Sequence, residues 1–341
     1  MDPSLRWGDE KATEEGMKLL ARIERWPVAG AFTISRGAKT HVDVVMAEIL
    51  DGDHVGRGEG TPIYYHGESA ESVLAQIQGQ AEAIASGLSR NELQTRLPRG
   101  AARNALDCAL WDLESKRNGV PVWKLAGLPA PRSLVTAFTI SLGPAERMEA
   151  DARASAHLPL LKLKLAGEGD EARVAAVRRG APEARLIVDA NEAWTGRDVA
   201  AEAAILAAYG VELIEQPVDR ARDDLLDGVA GPIPFAADES CQDRADLPRL
   251  AGRYQAVNIK LDKAGGLTEA IALAAEARAL GLEIMVGCML GTSLGMAPAF
   301  MVSGGAKWVD LDGALLLAED RPAAMACENG LLEPPGPDLW G

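Results

Sequence analysis

Five charged residues suited to acid–base or metal chemistry recur at a nearly even spacing in the middle of the chain. Each ends a short apolar run, in the phrases LKLKL, LIVDAN, LIEQP, FAADES and VNIKL. They are Lys164, Asp189, Glu215, Asp238 and Lys260. The gaps between neighbours, from 22 (238 to 260) to 26 (189 to 215) residues, are about the length of one β/α unit. The spacing predicts that all five converge at the carboxyl ends of parallel strands, on one mouth of a barrel.

The three acidic residues of this set predict a metal site. Carboxylate oxygens are the ligands preferred by hard cations such as Mg²⁺, which takes about six oxygens and leaves positions for substrate. A single acidic residue after a strand is more simply explained as the cap of the next helix. Because Asp189, Glu215 and Asp238 end consecutive predicted strands, we favour the metal site.

Lys162 and Lys164 are predicted to form a pair on one face of a strand, since residues i and i+2 point the same way. Two neighbouring ammonium groups repel, and this repulsion predicts a lowered pKa for at least one of them. A free lysine, with a pKa of about 10.4, is a poor base near neutral pH. The alternative is an exposed strand with solvated lysines, which the apolar neighbours in LPLLKLKLAG disfavour.

Lys260 lies four predicted strands after Lys164, which is halfway around an eight-stranded barrel. A second base opposite the first is expected to reach the other side of a bound carbon atom. The open alternative is that Lys260 anchors an anionic substrate without moving protons. Lys263 follows the strand end and is expected at the surface or behind the site.

Asp310 and Asp312, in WVDLDG, are a pair on one face of the eighth predicted strand. Two carboxylates beside an anion-binding site suggest that the substrate also carries a cation, such as an α-ammonium group. The alternative is helix capping with a turn before Gly313. Arg36, in FTISRGAKT, could bind a substrate carboxylate bidentately, although an exposed loop arginine is the commoner case.

The elements that must position these residues follow from the apolar pattern. Eight short apolar runs alternate with helical stretches after Leu134, which predicts strands buried on both faces. The fold class is therefore α/β, a modified (β/α)8 barrel of the TIM type, (β/α)7β, with an N-terminal α+β capping domain. The predicted division is a disordered extension over residues 1–16, a capping domain over 17–127 completed by 314–341, and a barrel over 128–313. HVGRGEGTPIYYHGES reads as one long loop of the capping domain.

Composition limits the possible partners. Hydrophobic residues make up 48% and charged residues 25% of the 341, and the net charge is −15. Nucleic acids and anionic membranes need a basic surface, so neither is an expected partner. The four cysteines are far apart, no apolar run has a membrane-spanning length, and the N-terminus lacks an apolar signal segment. We expect a cytoplasmic protein.

The phrases KLK, DAN, EQP, ADES and NIKLDKAGG together resemble the enolase superfamily, and specifically its muconate-lactonizing subgroup. Within it, DLDG is similar to the aspartate pair that holds the ammonium end of the substrate in dipeptide epimerases. The resemblance implies one Mg²⁺ per subunit, capping loops that choose the substrate, a homo-oligomer, and a dipeptide of murein metabolism as substrate. The stretch GCMLGTS adds Cys288 and Met289 as substrate-contact candidates.

The resemblance implies 1,1-proton transfer through an enediolate. Lys164 and Lys260 would act as the two bases and Lys162 would stabilise the intermediate. A superfamily lysine base beside Mg²⁺ is a general pattern. The alternatives are an N-acylamino acid racemase, an o-succinylbenzoate synthase, a cycloisomerase, or a non-catalytic barrel used for binding. Substrates of the first three lack a free ammonium group, so they would leave Asp310 without a role.

Overall fold

The computed structural model describes residues 16–34 and 37–341. The predicted extension lies outside that range except for Gly16, and the candidate substrate ligand Arg36 also lies outside it.

Three antiparallel strands begin the described chain. β1 (Lys18–Ile34) pairs with β2 (Gly37–Asp51), and β2 pairs with β3 (His54–Gly60). The prediction of a loop at HVGRGEG is therefore wrong. Alternate glycines weaken the strand pattern in the sequence, but here they allow the strand to lie very close to a helix.

A short 3-10 helix (Tyr64–His66) and then five α-helices follow in the described chain before the connection to the barrel. They are α1 (Ala70–Gln78), α2 (Ala81–Ala85), α3 (Arg90–Arg96), α4 (Ala101–Asn118) and α5 (Val122–Leu125). The predicted helical periodicity of RNALDCALWDLESKRNG is confirmed by α4, which is buried along most of its length and ends at the left-handed Gly119 (φ 62°).

β3 packs directly on α4. A Cβ added at Gly56, Gly58 or Gly60 would come within 2.0–2.2 Å of the carbonyl oxygens of Ala109, Ala105 and Ala101. Residues at every second strand position thus face residues at every fourth helix position. This contact needs glycine at all three strand positions.

The second part of the structure is an eight-stranded parallel sheet in the order of the chain. After β4 (Leu134–Val135), its strands are β5 (Phe138–Ile140), β6 (Leu160–Lys164), β7 (Arg185–Asp189), β8 (Val211–Glu215), β9 (Phe235–Ala237), β10 (Ala256–Ile259), β11 (Glu283–Gly287) and β12 (Trp308–Asp310). The helices between and after them are α6 (Ala145–Ala154), α7 (Asp170–Gly180), α8 (Val199–Ala207), α9 (Leu247–Leu250), α10 (Leu261–Ala264), α11 (Leu267–Ala279) and α12 (Ser293–Ser303). The backbone N–H of Ala137 donates to the carbonyl of Val309 at 2.8 Å and links the first strand region to the last. The predicted barrel is confirmed.

One apolar side chain from each barrel strand region fills the barrel interior. They are Ala137, Leu160, Ile187, Leu213, Ala236, Ala256, Met285 and Trp308. Because this cluster closes the barrel below the strand ends, the charged residues above it stand on an apolar floor.

The last described residues return to the first part of the chain. β13 (Cys327–Glu328) pairs with β14 (Leu331–Leu332), which pairs with β4. The indole N–H of Trp340 donates to the carbonyl of Cys108 at 3.0 Å, and the N–H of Gly341 donates to the Asp112 carboxylate at 2.8 Å. The domain boundaries themselves stay a prediction. Within the described ranges, none of the helices has the length and apolar character needed to cross a membrane.

Candidate active site

The strand register explains why the acidic residues meet. Lys164 is paired with Asp189, and Asp189 with Glu215, across β6, β7 and β8. Glu215 pairs in turn with Ala236 of β9, so Asp238 lies two residues further along the chain, just past the end of β9. The neighbouring ends of β6, β7 and β8 therefore carry one lysine and two carboxylates. The third carboxylate, that of Asp238, lies just beyond this row.

The three carboxylates form a compact, buried oxygen cluster. Asp189, Glu215 and Asp238 each offer an oxygen within 4.8 Å of the others, and each residue is at most 2% exposed. Two oxygens on opposite sides of one ion are roughly 4.2 Å apart for Mg²⁺ and roughly 5 Å apart for Ca²⁺. The donor type and spacing therefore fit a hard divalent cation.

The three carboxylates differ in their electrostatic surroundings. Burial raises the pKa of Asp189, but the charges of Lys164 and Lys162 outweigh it and lower the pKa overall. Burial together with the charge of Asp189 raises the pKa of Glu215 to about 7. Burial also opposes ionisation of Asp238, yet Lys260 and Lys263 hold its pKa well below the usual range.

Lys162 and Lys164 both point into the barrel mouth and are buried. The Lys164 ammonium donates to Asp189 at 2.6 Å, whereas Lys162 contacts Glu215 at 2.5 Å and Asp310 at 2.7 Å. Burial lowers the pKa of Lys162, but the charges of Asp310, Glu215 and Asp189 raise it well above the usual value. Lys162 is therefore not a lysine of lowered pKa, because its carboxylate partners come from other strands that the KLK phrase does not reveal.

Lys260 follows β10, four strands from β6, and its ammonium donates to Asp238 at 2.7 Å. Burial lowers the pKa of Lys260, but the charges of Asp238 and Glu215 outweigh this effect and raise the pKa well above its usual value. Lys263 lies behind the site. It is 1% exposed and donates to the Asp238 side chain at 2.6 Å and to the carbonyl of Asn258 at 3.0 Å.

Asp310 and Asp312 both line the pocket from the end of β12 and are buried. Asp312 accepts the N–H of Thr139 at 2.7 Å. The second oxygen of Asp310 is buried and has no hydrogen-bond partner among the described residues. Burial and the charge of Asp310 raise the pKa of Asp312 to about 7.

The pocket above these residues has a volume of about 250 Å³ and is formed by both parts of the chain. Cys288 and Met289 line it from the loop after β11. The first part of the chain contributes Phe32, Gly37, Ala38, Lys39, Thr61, Pro62, Ile63, Tyr64 and Tyr65. Four of these residues, Lys39, Thr61, Tyr64 and Tyr65, carry polar side-chain groups that the sequence alone did not single out.

Two other site residues were not predicted from the sequence, although the sequence pattern around one of them indicates its position. Asn258 donates to Glu215 at 2.6 Å. Because it precedes Lys260 by two residues in AVNIK, strand alternation alone places both on one face. Asp262 had no such signal, since it accepts the N–H of Thr61 at 2.9 Å and the amide of Asn104 at 2.8 Å from the other part of the chain.

A buried ionic cluster joins the pocket loop after β11 to the antiparallel sheet. Glu59, at 2% exposure, accepts the N–H of Thr292 at 2.8 Å and the guanidinium of Arg321 at 2.7 Å. Arg321 also contacts Glu24 at 2.8 Å. Thr61 donates its hydroxyl to the carbonyl of Leu290 at 3.0 Å. These contacts fix the backbone that carries Cys288 and Met289.

Comparisons with protein families agree with this architecture. Residues 17–127 match the family described as "Mandelate racemase / muconate lactonizing enzyme, N-terminal domain". Residues 145–336 match "Enolase C-terminal domain-like".

Similar individual proteins cover nearly the whole chain. The L-Ala-D/L-Glu epimerase of Escherichia coli is 44% identical over 311 residues, 91% of this chain and 97% of that protein. An N-acetyl-D-glutamate racemase of Pseudoalteromonas is 41% identical over 300 residues, 87% of this chain and 95% of that protein. A crystal structure of an Agrobacterium tumefaciens enolase family member with homology to dipeptide epimerases, with bound sodium and L-Ala-L-Glu, has a TM-score of 0.93 and 50% identity, and covers 95% of this chain and 100% of that one.

Proposed function

Because this chain belongs to the enolase superfamily, in the group of mandelate racemase and muconate lactonizing enzymes, we propose that it is a Mg²⁺-dependent dipeptide epimerase of the L-Ala-D/L-Glu type. The reaction inverts the α-carbon of the C-terminal residue by removing a proton on one face and returning one on the other.

The observation that carries the proposal is the placement of Lys164 and Lys260. They lie four strands apart around the barrel, and each donates to a different carboxylate of the same cluster. A carbon atom held above that cluster has one ammonium-bearing side chain on either side. General acid–base chemistry needs groups within hydrogen-bond reach of the transferred proton.

Asp189, Glu215 and Asp238 would hold the Mg²⁺ ion. When bound there, the ion supplies positive charge to the substrate carboxylate and makes the α-proton more acidic. Asn258 keeps one oxygen of Glu215 in place, and Lys263 does the same for Asp238.

The side chains then carry the proton transfer. Lys164 in its neutral form removes the α-proton and becomes charged, while the electron pair moves into the carboxylate to give an enediolate. The Lys162 ammonium stabilises the added negative charge by hydrogen bonding. Lys260 in its charged form donates a proton to the opposite face and becomes neutral, and the other epimer results. The reverse reaction exchanges the two roles.

Asp310 and Asp312 would bind the ammonium end of the dipeptide. They lie in the same pocket as the two bases. The oxygen of Asp310 that has no hydrogen-bond partner among the described residues is an acceptor suited to a charged N–H group. Cys288, Met289 and Arg36 stay candidate substrate contacts; the first two line the pocket.

A second candidate is racemisation of an N-acylamino acid, such as N-acetylglutamate. The 41% identity to the racemase of Pseudoalteromonas is the observation in its favour. An N-acyl group carries no positive charge, so the buried Asp310 and Asp312 would then face a neutral substrate end. That is the less favourable arrangement, because the second oxygen of Asp310, which has no hydrogen-bond partner among the described residues, would stay buried without a donor. Neither of the two relatives described above is an o-succinylbenzoate synthase or a cycloisomerase.

The proposal includes the setting of the reaction. A dipeptide of alanine and glutamate is a product of murein breakdown, so we propose that the enzyme acts in the cytoplasm, in the recycling of murein peptides. The four free thiols agree with a reducing compartment. A homo-oligomer is part of the same proposal.

Proton NMR in D₂O tests the proposal. The enzyme with Mg²⁺ is incubated with L-Ala-D-Glu, L-Ala-L-Glu and N-acetylglutamate in separate samples, and a parallel set contains excess chelator. We expect the α-proton signal of the C-terminal residue to disappear from both dipeptides as the other epimer accumulates. The chelator is expected to stop the exchange, because the metal acidifies the α-proton.

Each other outcome has a defined meaning. Faster exchange of N-acetylglutamate than of either dipeptide would establish the second candidate. No exchange with any of the three, in protein that binds Mg²⁺, would contradict both.

A further inference from the structure

The hydrogen bonds between β8 and β9 do not hold Asp238 in position. The pairing of β8 with β9 ends at Glu215 opposite Ala236, and β9 itself ends at Ala237. Asp238 therefore lies beyond the paired part of its strand. Its carboxylate must nevertheless keep a fixed distance from that of Glu215 if both are to bind one ion.

The side chain of Gln216 bridges this gap. It is fully buried, and its amide oxygen accepts the N–H of Asp238 at 2.9 Å and that of Ser240 at 3.0 Å. Gln216 directly follows Glu215 in the chain. One amide thus ties the residue after the second carboxylate to the backbone of the third, in the place that a strand partner would take.

Neighbouring hydroxyl groups fix the orientation of this amide. Ser240 and Tyr254 each donate a hydroxyl proton to Asp223 at 2.7 Å. Both hydroxyls can therefore only accept from Gln216, whose amide nitrogen lies 2.8 Å from Ser240 and 3.0 Å from Tyr254. The nitrogen also donates to the carbonyl of Val218 at 2.8 Å. Since the nitrogen faces these three acceptors, the oxygen must face the two backbone N–H groups.

The backbone of Gln216 is held in an uncommon conformation. Its φ is 37°, in the left-handed region that side-chain-bearing residues seldom adopt. Its own N–H donates to the carbonyl of Ala236 at 2.8 Å, and its carbonyl accepts the N–H of Glu192 at 2.9 Å. Strained conformations of this kind persist where the surroundings determine them strongly, and they cluster at functional sites.

We propose that Gln216 is a positioning residue of the metal centre, whose amide sets the spacing between the Glu215 and Asp238 carboxylates. The inference rests on the proposed metal site. Gln216 contacts no reacting atom, so its loss acts on metal affinity. Residues that orient metal ligands typically change metal affinity about 10- to 100-fold when replaced.

The test compares Mg²⁺ binding by calorimetry in wild type and in Gln216→Asn. Asparagine tolerates the left-handed conformation, but its amide is one methylene too short to reach the Asp238 N–H. We expect the Kd for Mg²⁺ to rise about 10- to 100-fold. The matched control is Gln80→Asn, the same exchange at a buried glutamine that bonds to Arg96 outside the barrel. Its Kd is expected to equal that of wild type.

The possible results separate this inference from the function on which it rests. A folded Gln216→Asn variant with a Kd within twofold of wild type overturns the positioning role, even if its melting temperature falls. Wild-type protein that binds no Mg²⁺ overturns the proposed function instead. If Gln216→Asn does not fold, Ser240→Ala removes one acceptor of the Gln216 amide, and the Kd is expected to rise about fivefold. An unchanged Kd in that variant contradicts the inference as well.

Discussion

Lys164 and Lys260 have separable tasks in the proposed mechanism, because each reaches only one face of the α-carbon. Each lysine donates to its own carboxylate, Asp189 for the first and Asp238 for the second. Removing one base should therefore abolish inversion without abolishing proton removal by the other.

In Lys260→Ala we expect no detectable epimerisation. Exchange of the α-proton with D₂O should continue for the one epimer whose proton faces Lys164. Proton NMR of each epimer incubated separately measures this. Lys164→Ala is the mirror control and should exchange only the opposite epimer. Epimerisation by Lys260→Ala at a rate near that of wild type would show that Lys260 is not a base.

The raised pKa of Asp312 predicts that substrate binding depends on pH. Burial and the charge of Asp310 raise its pKa to about 7, so the carboxylate gains a proton as the pH falls through 7 and loses its attraction for an ammonium group. We expect the Kd of L-Ala-L-Glu to increase below pH 7. Calorimetry with the Lys164→Ala variant, which is expected not to epimerise its substrate, measures binding without conversion to the other epimer. Asp312→Asn should bind weakly at all pH values with a flatter profile; an unaltered profile in that variant would contradict the assignment.

At the scale of elements, the three glycines of β3 control how closely the sheet approaches α4. A Cβ at Gly58 would lie 2.0 Å from the carbonyl oxygen of Ala105. Since both groups are backbone-fixed, Gly58→Ala should destabilise the fold by about 2–3 kcal/mol. Thermal or urea unfolding measures it. Gly304→Ala is the control, because a Cβ there meets nothing within 4 Å; an equal effect of both variants would show that packing on α4 is not the cause.

The elements were predictable from the sequence where one local pattern determines them. The eight barrel strands each form a short apolar run, and the charged residues end those runs, so both the barrel and the convergence of Lys164, Asp189 and Glu215 follow from periodicity. β3 was not predictable in this way. Its glycines are typical of a loop unless the helix that they contact is known.

Site residues were likewise predictable where the local pattern of one strand determines their direction, and not where contacts between distant segments determine it. Side chains fixed by their own strand, such as Asp310, follow from alternation. Contacts between distant segments do not, as with Asp262 and Thr61 or the partners that raise the pKa of Lys162. Gln216 belongs to this second class, because its role depends on a turn geometry and on hydroxyls from two other segments.

At the scale of the whole molecule, α4 holds the antiparallel sheet to the barrel through buried polar contacts. Asp107 accepts the N–H of Thr268 at 2.9 Å, at the start of α11. Arg103 donates to the carbonyl of Gly265 at 3.0 Å and to that of Ala264 at 2.6 Å. The side chains of Arg103 and Asp107 thus bind backbone groups in the segment that follows Lys260.

Asp107 makes the stability of this junction depend on pH. Burial raises its pKa from 3.8 to about 6, so between these values the folded state keeps a proton that the unfolded state has lost. Stability contributed by that proton therefore falls as the pH rises through 6. At pH 5 this contribution should exceed that at pH 7.5 by about 1.4 kcal/mol.

Urea unfolding of wild type and Asp107→Asn at the two pH values measures the contribution. The asparagine side chain does not titrate and keeps an oxygen for the Thr268 N–H. The difference in unfolding free energy between wild type and variant should accordingly shift by about 1.4 kcal/mol from pH 5 to pH 7.5. An identical difference at both pH values would mean that Asp107 is ionised in the folded state throughout.

The contact between Trp340 and Cys108 can form only late in the synthesis of the chain on the ribosome. The two residues are 232 positions apart, and translation adds about 5–20 residues per second, so on the order of 10 to 50 s pass between their syntheses. During that interval the face of α4 that later receives the Trp340 indole has no partner from the C-terminal segment. Nascent chains of this protein should therefore be most prone to aggregation, and most dependent on chaperones, while the barrel is still being made.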